Sequence, residues 1–288
     1  MTQSAHKWVL ASVLLAFPLF CLALTFYLMH NPPHFDPVEV TETTPQPPKL
    51  KALPPMAEIS HIPERKETFI NLLLPMIEWR NSEMSRKREE LQAMQAAVTE
   101  GEELTPAQLR RLQALREHFR VTEENFPELD DALAALLLRV DIIPQEMVLA
   151  QAAAESGWGT SRFAVDANNL FGQWCYRQGC GLVPERRREG ARHEVQKFSS
   201  VNEAVASYYR NINTHRAYRE LRQKRASLRE AGEPIRGELL VTQLQRYSSR
   251  GQAYVDELLE LIRFNDLANV TVTQADQDTL AGVQEEDN

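Results

Sequence analysis

Glu155 is the residue whose surroundings point most clearly to chemistry. It follows an apolar run from Met147 to Ala154 that only Gln151 interrupts, and Ser-Gly-Trp-Gly comes directly after it. A segment that is apolar on nearly all faces is expected to form a buried helix. Burial disfavours the carboxylate anion, and the negative end of the helix dipole acts in the same direction. We therefore expect a raised pKa for Glu155, which suits an acid that donates a proton near neutral pH.

The turn after Glu155 is expected to open this acid to a cleft. Gly157 and Gly159 permit a sharp turn, and Trp158 between them can shield the acid or stack on a sugar. Gln151 lies one turn earlier on the same helix face, so it is a candidate substrate contact. Proton donation to a leaving oxygen is what glycoside hydrolysis requires of such an acid. The structural alternative is a glutamate that merely ends a helix.

Two neighbouring motifs support the catalytic interpretation. The segment AQAAAESGWG at 150–159 is followed by NLFG at 169–172 and then by QWC at 173–175. Together they resemble the peptidoglycan N-acetylglucosaminidase domain of glycoside hydrolase family 73, closest to its Bax-protein subgroup. The resemblance covers roughly residues 126–267. It implies a lysozyme-like α+β fold, Glu155 as the catalytic acid, and cleavage of the β-1,4 bond after N-acetylglucosamine.

The same resemblance implies four further substrate-binding residues. Asn169 and Phe171 lie in the loop that shapes the cleft of the family, and Tyr247 and Tyr254 match its late groove tyrosines. Phe171 also suits a core position, and Asn169 suits either role.

A second catalytic carboxylate is harder to place. The predicted β lobe offers Glu185, Glu189 and Glu194, and Glu185 matches the family position best. Alternatively, the acetamido group of the substrate acts as the nucleophile. Glu185 also begins an arginine-rich run, 185–189, which could attract carboxylates but is more typical of a solvated loop.

Cys175 and Cys180 are spaced so that a disulfide could close a short loop, which requires an oxidising compartment. A metal pair is the weaker alternative, since the sequence has no second pair and no zinc-spaced Cys/His cluster. The sequence therefore predicts no metal and no cofactor.

The N-terminal region is predicted to be a single-pass membrane anchor. Residues 8–29 carry no charge, and a run of this length can cross a hydrocarbon core of about 30 Å. Lys7 precedes the run and no Lys or Arg follows until Lys49, which places residues 1–7 in the cytoplasm and the rest in the periplasm. A cleaved signal peptide is the alternative, and the predicted location is the inner membrane.

Four regions are predicted after the anchor. They are a Pro-rich linker (30–63), a helical membrane-proximal region that serves as a stalk or packs elsewhere (64–125), the catalytic domain (126–268) and an acidic disordered tail (269–288). Pro75 is expected to kink or break the first helix.

The predicted fold class is α+β and mostly α, a lysozyme-like helical domain with a small β lobe. Two short β segments are expected at 181–183 and 193–198. Helices are expected over 107–119, 131–140, 145–156, 201–213, 218–231, 238–246 and 252–267.

The formal net charge of −8 over 288 residues argues against a nucleic-acid partner. The predicted partners are peptidoglycan glycan strands and, through the N-terminal helix, the inner membrane. A muramidase or lytic transglycosylase is the nearest alternative, although such enzymes often carry Gly-Leu-Met-Gln where this chain has Asn-Leu-Phe-Gly. A peptidoglycan-binding scaffold without catalytic activity is the alternative from another class.

Overall fold

The computed structural model describes residues 46–271 except for four positions, which are Arg186, Arg188, Glu189 and Ala191. The predicted anchor at 8–29, the first part of the linker and nearly all of the predicted tail lie outside the described residues. Within 46–271, no helix is both long enough and apolar enough to cross a membrane.

The prediction of a mostly helical α+β domain with a small sheet is confirmed. Short 3-10 turns occur at Met56–Glu58, Arg216–Tyr218 and Val241–Gln243. The helices are α1 (Ile62–Thr99), α2 (Pro106–His118), α3 (Leu129–Arg139), α4 (Gln145–Ser156), α5 (Arg162–Ala167), α6 (Val201–Thr214), α7 (Arg219–Glu230), α8 (Gly237–Leu240) and α9 (Gln252–Phe264). The strands are β1 (Trp174–Cys175), β2 (Gly181–Leu182) and β3 (Glu194–Gln196).

Local signals fix several helix ends. The Thr105 side chain accepts a hydrogen bond from the Gln108 backbone N–H, and the Gln108 side chain accepts one from the Thr105 backbone N–H, which forms a capping box at the start of α2. The helix α5 was not expected, because it has only six residues, although Ser161 caps it by accepting from Ala164. In place of the helix expected over 238–246, the chain forms only α8 and a 3-10 turn.

The helix α1 continues through Pro75 for 38 residues, so the expected break does not occur. A proline inside a helix costs about 3 kcal/mol. Phe69, Leu73 and Ile77 on either side of it are fully buried, and burial of each such side chain contributes roughly 1.5–3 kcal/mol. Tertiary packing therefore outweighs the cost of the proline.

The region predicted as membrane-proximal shares one core with the predicted catalytic domain. The helix α1 packs against α3, α4 and α6. The second half of the predicted linker is also bound to this core, since Leu50 and Met56 are buried. The Leu50 carbonyl accepts from the Val201 N–H at 2.9 Å, and the Leu50 N–H donates to Asn202 Oδ1 at 2.8 Å. The expected extended spacer is therefore not found from about residue 46 onward, because buried apolar side chains and backbone hydrogen bonds attach this segment to the core.

The small sheet is antiparallel, with β3 between β1 and β2. Val195 of β3 lies opposite Trp174 on one side and Leu182 on the other. A disulfide joins Cys175 to Cys180 with a Cα–Cα distance of 6.2 Å, which ties the end of β1 to the start of β2. The sheet therefore holds a short cross-linked loop beside its central strand.

The helix α4 lies at the centre of the molecule. Every residue from Glu146 to Ala153 is buried, and the helix packs against α1, α8 and α9. Its C-terminal end carries Glu155, so the core fixes the position of that carboxyl group.

Candidate active site

Glu155 occupies the last turn of α4, and Gly157 ends the helix in the left-handed conformation, with φ of 58°. The Ser156 hydroxyl donates to the Ala152 carbonyl at 2.6 Å and accepts from the Gly159 N–H at 2.9 Å. The turn is thus fixed by its own side chain, and Glu155 is left half-buried at the edge of the core.

The Asn-Leu-Phe-Gly loop contacts the carboxyl group of Glu155 at Gly172. A Cβ atom at this position would lie 2.9 Å from Glu155 Oε2, and Gly172 has φ of +61°. Both the close approach and the left-handed backbone favour glycine. The backbone of the Asn-Leu-Phe-Gly loop therefore lies directly against the carboxyl group of Glu155.

A chain of hydrogen bonds leads from the core to Glu155, and we call it the Gln151 network (Tyr208, Gln151, Tyr254 and Glu155). The Tyr208 hydroxyl donates to Gln151 Oε1 at 2.6 Å. Gln151 Nε2 then donates to the Tyr254 hydroxyl oxygen at 3.1 Å. Because that oxygen accepts from Gln151, its own proton is available for the hydrogen bond that Tyr254 makes with Glu155.

Stacked aromatic rings hold this network against the loop. The Tyr247 ring lies parallel to that of Tyr254, with centroids 5.5 Å apart, and the Tyr247 hydroxyl donates to the Phe171 carbonyl at 2.6 Å. The Phe171 ring in turn stacks on Tyr208 at 4.2 Å. The loop and the hydrogen-bonded tyrosines therefore support each other.

The electrostatic surroundings raise the pKa of Glu155 above its ordinary value. Burial is the largest cause, and the Glu257 carboxylate adds to it, whereas the Tyr254 hydrogen bond and the Arg250 charge act in the opposite direction. Arg250 and Glu257 form an ion pair at 2.7 Å. The raised pKa expected from the sequence is thus found, with burial as its main cause.

Four of the expected substrate contacts are buried in the structure. Gln151 is 0% exposed, Phe171 and Asn169 are each 1% exposed, and Tyr254 is 2% exposed. The Asn169 amide donates to the carbonyls of Gln173 and Gln196 at 2.8 Å each. These side chains hold the loop and the Gln151 network, and their role as substrate contacts stays a prediction.

Trp158 lies on the side of the turn that faces α1. Its ring packs edge-on against Phe69 at 5.7 Å, and Lys66 Nζ lies 5.0 Å from its centroid. Trp158 is half-buried. Its contacts with Phe69 and Lys66 differ from those of Tyr254, which forms a hydrogen bond with Glu155. Its role in shielding the acid or stacking on a sugar stays a prediction.

The acidic residues of the β lobe have other partners. The Glu185 side chain is 81% exposed and pairs with Arg162 at 2.9 Å, so its role as second carboxylate stays a prediction. Glu194 is 5% exposed and accepts from the Gly179 and Gly181 N–H groups at 3.0 and 2.9 Å. These two hydrogen bonds hold the pKa of Glu194 below its ordinary value.

Cys175, Cys180 and Glu194 form the cluster of possible metal ligands within the described chain, with ligand atoms within 4.8 Å of one another. Both sulfurs belong to the disulfide, and backbone N–H groups occupy the carboxylate. A cystine lacks the thiolate that binds metals, so this cluster serves the structure of the lobe.

Sequence reasoning missed Tyr208, Arg250 and Glu257. Glu257 could have been found, since it lies three residues after Tyr254 and therefore on the same helical face. The position of Tyr208 beneath Gln151 depends on how α6 packs, for which the sequence offers only an inward-facing apolar pattern.

A helical domain with a small sheet, whose core helix ends in a carboxylic acid of raised pKa, has the features of a glycoside hydrolase domain. The glucosaminidase family model, described as mannosyl-glycoprotein endo-beta-N-acetylglucosaminidase, matches residues 131–267. Protein bax from Escherichia coli (strain K12) is 34% identical over 218 residues, which are 75% of this chain and 76% of that protein. The chain therefore belongs to the glucosaminidase family, and the resemblance to its Bax-protein subgroup is confirmed. A comparison with solved structures finds no match.

Proposed function

We propose that this protein is a peptidoglycan endo-β-N-acetylglucosaminidase that uses Glu155 as its general acid. The observation that carries the proposal is the setting of Glu155, whose half-buried carboxyl group has a raised pKa and lies against Gly172. Membership of the glucosaminidase family supports the reaction class. Cleavage after N-acetylglucosamine and the peptidoglycan substrate follow from the motif resemblance.

The Gln151 network suits both protonation states of Glu155. Before the reaction, burial favours the protonated carboxyl group, which can protonate the leaving oxygen of the glycosidic bond. After the transfer, the anion can accept the hydrogen bond of Tyr254, which stabilises it. The same carboxylate can then take a proton from the water that completes hydrolysis.

The second group in the reaction is either Glu185 or the acetamido group of the substrate. The exposure of Glu185 and its pairing with Arg162 favour the acetamido group. In that mechanism, the acetamido oxygen attacks the anomeric carbon as Glu155 protonates the leaving oxygen, and water later opens the cyclic intermediate.

The test is digestion of purified peptidoglycan by the wild type and by Glu155→Gln, with analysis of the new chain ends. New N-acetylglucosamine reducing ends from the wild type alone would support the proposal. New N-acetylmuramic acid reducing ends would indicate a muramidase, and anhydro-muramic ends a lytic transglycosylase. Binding of peptidoglycan by both proteins with hydrolysis by neither would indicate a scaffold.

We also propose that residues 8–29 anchor the protein in the inner membrane, with the catalytic domain in the periplasm. The uncharged run and the position of Lys7 support this topology. Protease treatment of spheroplasts should degrade the catalytic domain while the membrane stays intact. Its protection there, with digestion only after lysis, would contradict the proposed orientation.

A further inference from the structure

A cavity of about 580 Å³ lies between the β lobe and α6, and the Gln151 network does not account for it. Polar side chains line it, among them Gln173 and Asn211, together with two arginines, Arg120 and Arg210. Trp174 and Tyr176 line its β-lobe side.

The cavity adjoins the catalytic acid through Tyr218, which also lines it. The Tyr218 ring lies 5.9 Å from that of Tyr247. The charge of Glu155 is one of the causes that raise the pKa of Tyr218, after burial as the largest. Tyr218 therefore connects the cavity to Tyr247, which stacks on Tyr254 of the Gln151 network.

The aromatic side of the cavity presents ring surface to solvent. Trp174 is 55% exposed and Tyr176 is 72% exposed, although both are large apolar residues. His193 stacks on Trp174 at 4.3 Å and supports one face of its ring. Exposed, supported aromatic rings are suited to stacking on sugars.

The lining of this cavity carries positive charge, although Arg210 also lines a neighbouring pocket that contains Glu83 and Glu203. No aspartate or glutamate is among the described residues that line the cavity, and no described carboxylate forms an ion pair with Arg120 or Arg210. By contrast, Arg225 and Arg229 both pair with the buried Asp141. A polar cavity with two unpaired guanidinium groups is suited to an anion.

The backbone of Arg120 has an unusual conformation. It follows the end of α2 with φ of 58°, a conformation that costs a side-chain-bearing residue roughly 1–2 kcal/mol and is usually given to glycine. Arg139 Nη1 donates to the carbonyls of both Phe119 and Arg120 at 2.7 Å. The backbone of Arg120 is therefore fixed where its side chain lines the cavity.

We propose that this cavity binds a carboxylate on the stem peptide of the glycan strand, with Arg120 and Arg210 as its ligands. Trp174 and Tyr176 lie alongside the sugar that carries the peptide. This inference rests on the proposed function, because it assumes a peptidoglycan substrate. It assigns specificity for peptide-bearing strands to residues outside the arginine-rich run at 185–189.

Binding by the full chain carrying Glu155→Gln tests the proposal without hydrolysis. Calorimetry would compare soluble glycan strands that bear stem peptides with the same strands after amidation of their carboxyl groups. We expect amidation to weaken binding about tenfold, the effect of losing charge-assisted hydrogen bonds. Adding Arg120→Gln and Arg210→Gln should weaken binding of the native strands by a similar factor and abolish the effect of amidation.

A matched control carries Arg86→Gln and Arg110→Gln, which remove two exposed arginines outside the cavity. This control should keep the full effect of amidation. The proposal is overturned if the Arg120/Arg210 variant also keeps it, or if the control loses it equally. Failure of the proposed function would appear separately. In that case binding would still depend on the carboxyl groups, but the protein with Glu155 intact would cleave neither the native nor the amidated strands.

Discussion

Glu155 is half-buried and Glu194 is buried, and their pKa values shift in opposite directions. Burial dominates at Glu155, where the Tyr254 hydroxyl opposes it, and the pKa rises. At Glu194 the N–H groups of Gly179 and Gly181 outweigh burial, and the pKa falls. The number and kind of hydrogen-bond donors, and not burial alone, thus separate an acid that can give up a proton from one that stays ionised.

The two regions differ for a structural reason. Glu155 lies at the C-terminal end of a helix, where the backbone offers carbonyl groups and few free N–H donors. Glu194 lies on a strand beside a disulfide-closed loop, whose backbone N–H groups point toward it. In the proposed mechanism the helical side supplies the proton donor, while the Glu194 carboxylate stabilises the loop of the β lobe.

The largest expected effect is the difference in kcat between substitutions of the two glutamates. Glu155→Gln should lower kcat by about 10²–10⁴-fold, the usual contribution of a general acid, whereas Glu194→Gln should lower it less than tenfold. Reducing-end release from peptidoglycan measures both. Melting temperature serves as the control, since Glu155→Gln removes a group that is unfavourable when ionised and should not destabilise the protein above the raised pKa of Glu155. Equal losses in the two variants would contradict the comparison.

The next effect concerns two glycines that have similar backbone conformations but different surroundings. Gly172→Ala places a methyl group 2.9 Å from Glu155 Oε2, whereas Gly179, with φ of +78°, has nothing within 4 Å of its added Cβ. Both changes strain the backbone by roughly 1 kcal/mol. Gly172→Ala should in addition displace the acid and lower kcat about tenfold to a hundredfold. If kcat falls equally in both variants, backbone strain and not the contact with Glu155 explains the loss.

The third effect is on stability and belongs to the β lobe. Because the folded-state pKa of Glu194 lies below its ordinary value of 4.5, its stabilisation is present above that value and is lost as pH falls through the lower, folded-state pKa. The melting temperature of Glu194→Gln should therefore fall furthest below that of the wild type near neutral pH, and the gap should close in acid. Glu185→Gln is the control, and its exposed ion pair should give little difference at any pH. A gap for Glu194→Gln that is constant with pH would indicate lost packing instead.

The sequence predicted best what depends on neighbouring residues. The bounds of α4 follow from Pro144 before it and Gly157 after it, and the structure has the same bounds. The contact between Gly172 and Glu155 was not predictable, because it depends on how the chain folds back over α4. The sequence also left Glu194 beside Glu185 as a catalytic candidate, because the contacts of its carboxylate depend on the fold. Its partners are backbone N–H groups, and a residue pattern does not reveal where those point.

The smallest expected effect tests how the charge pair on the helical side tunes the acid. Arg250 lowers the pKa of Glu155 and Glu257 raises it. In the proposed mechanism activity needs protonated Glu155, so the alkaline limb of the kcat profile should move to higher pH in Arg250→Gln and to lower pH in Glu257→Gln. Each shift should be on the order of a few tenths of a pH unit, since solvent screens charges that are partly exposed.

The opposite signs make this test specific. Glu260→Gln removes a charge from the exposed face of the same helix and should leave the limb in place. A general loosening of α9 would move the limb in one direction for all three variants. Opposite shifts from two neighbouring residues would instead show that the field at Glu155, and not the integrity of the helix, sets its protonation. In the β lobe the pKa of Glu194 is set mainly by backbone N–H groups, which no side-chain substitution removes, and the Arg187 charge contributes less.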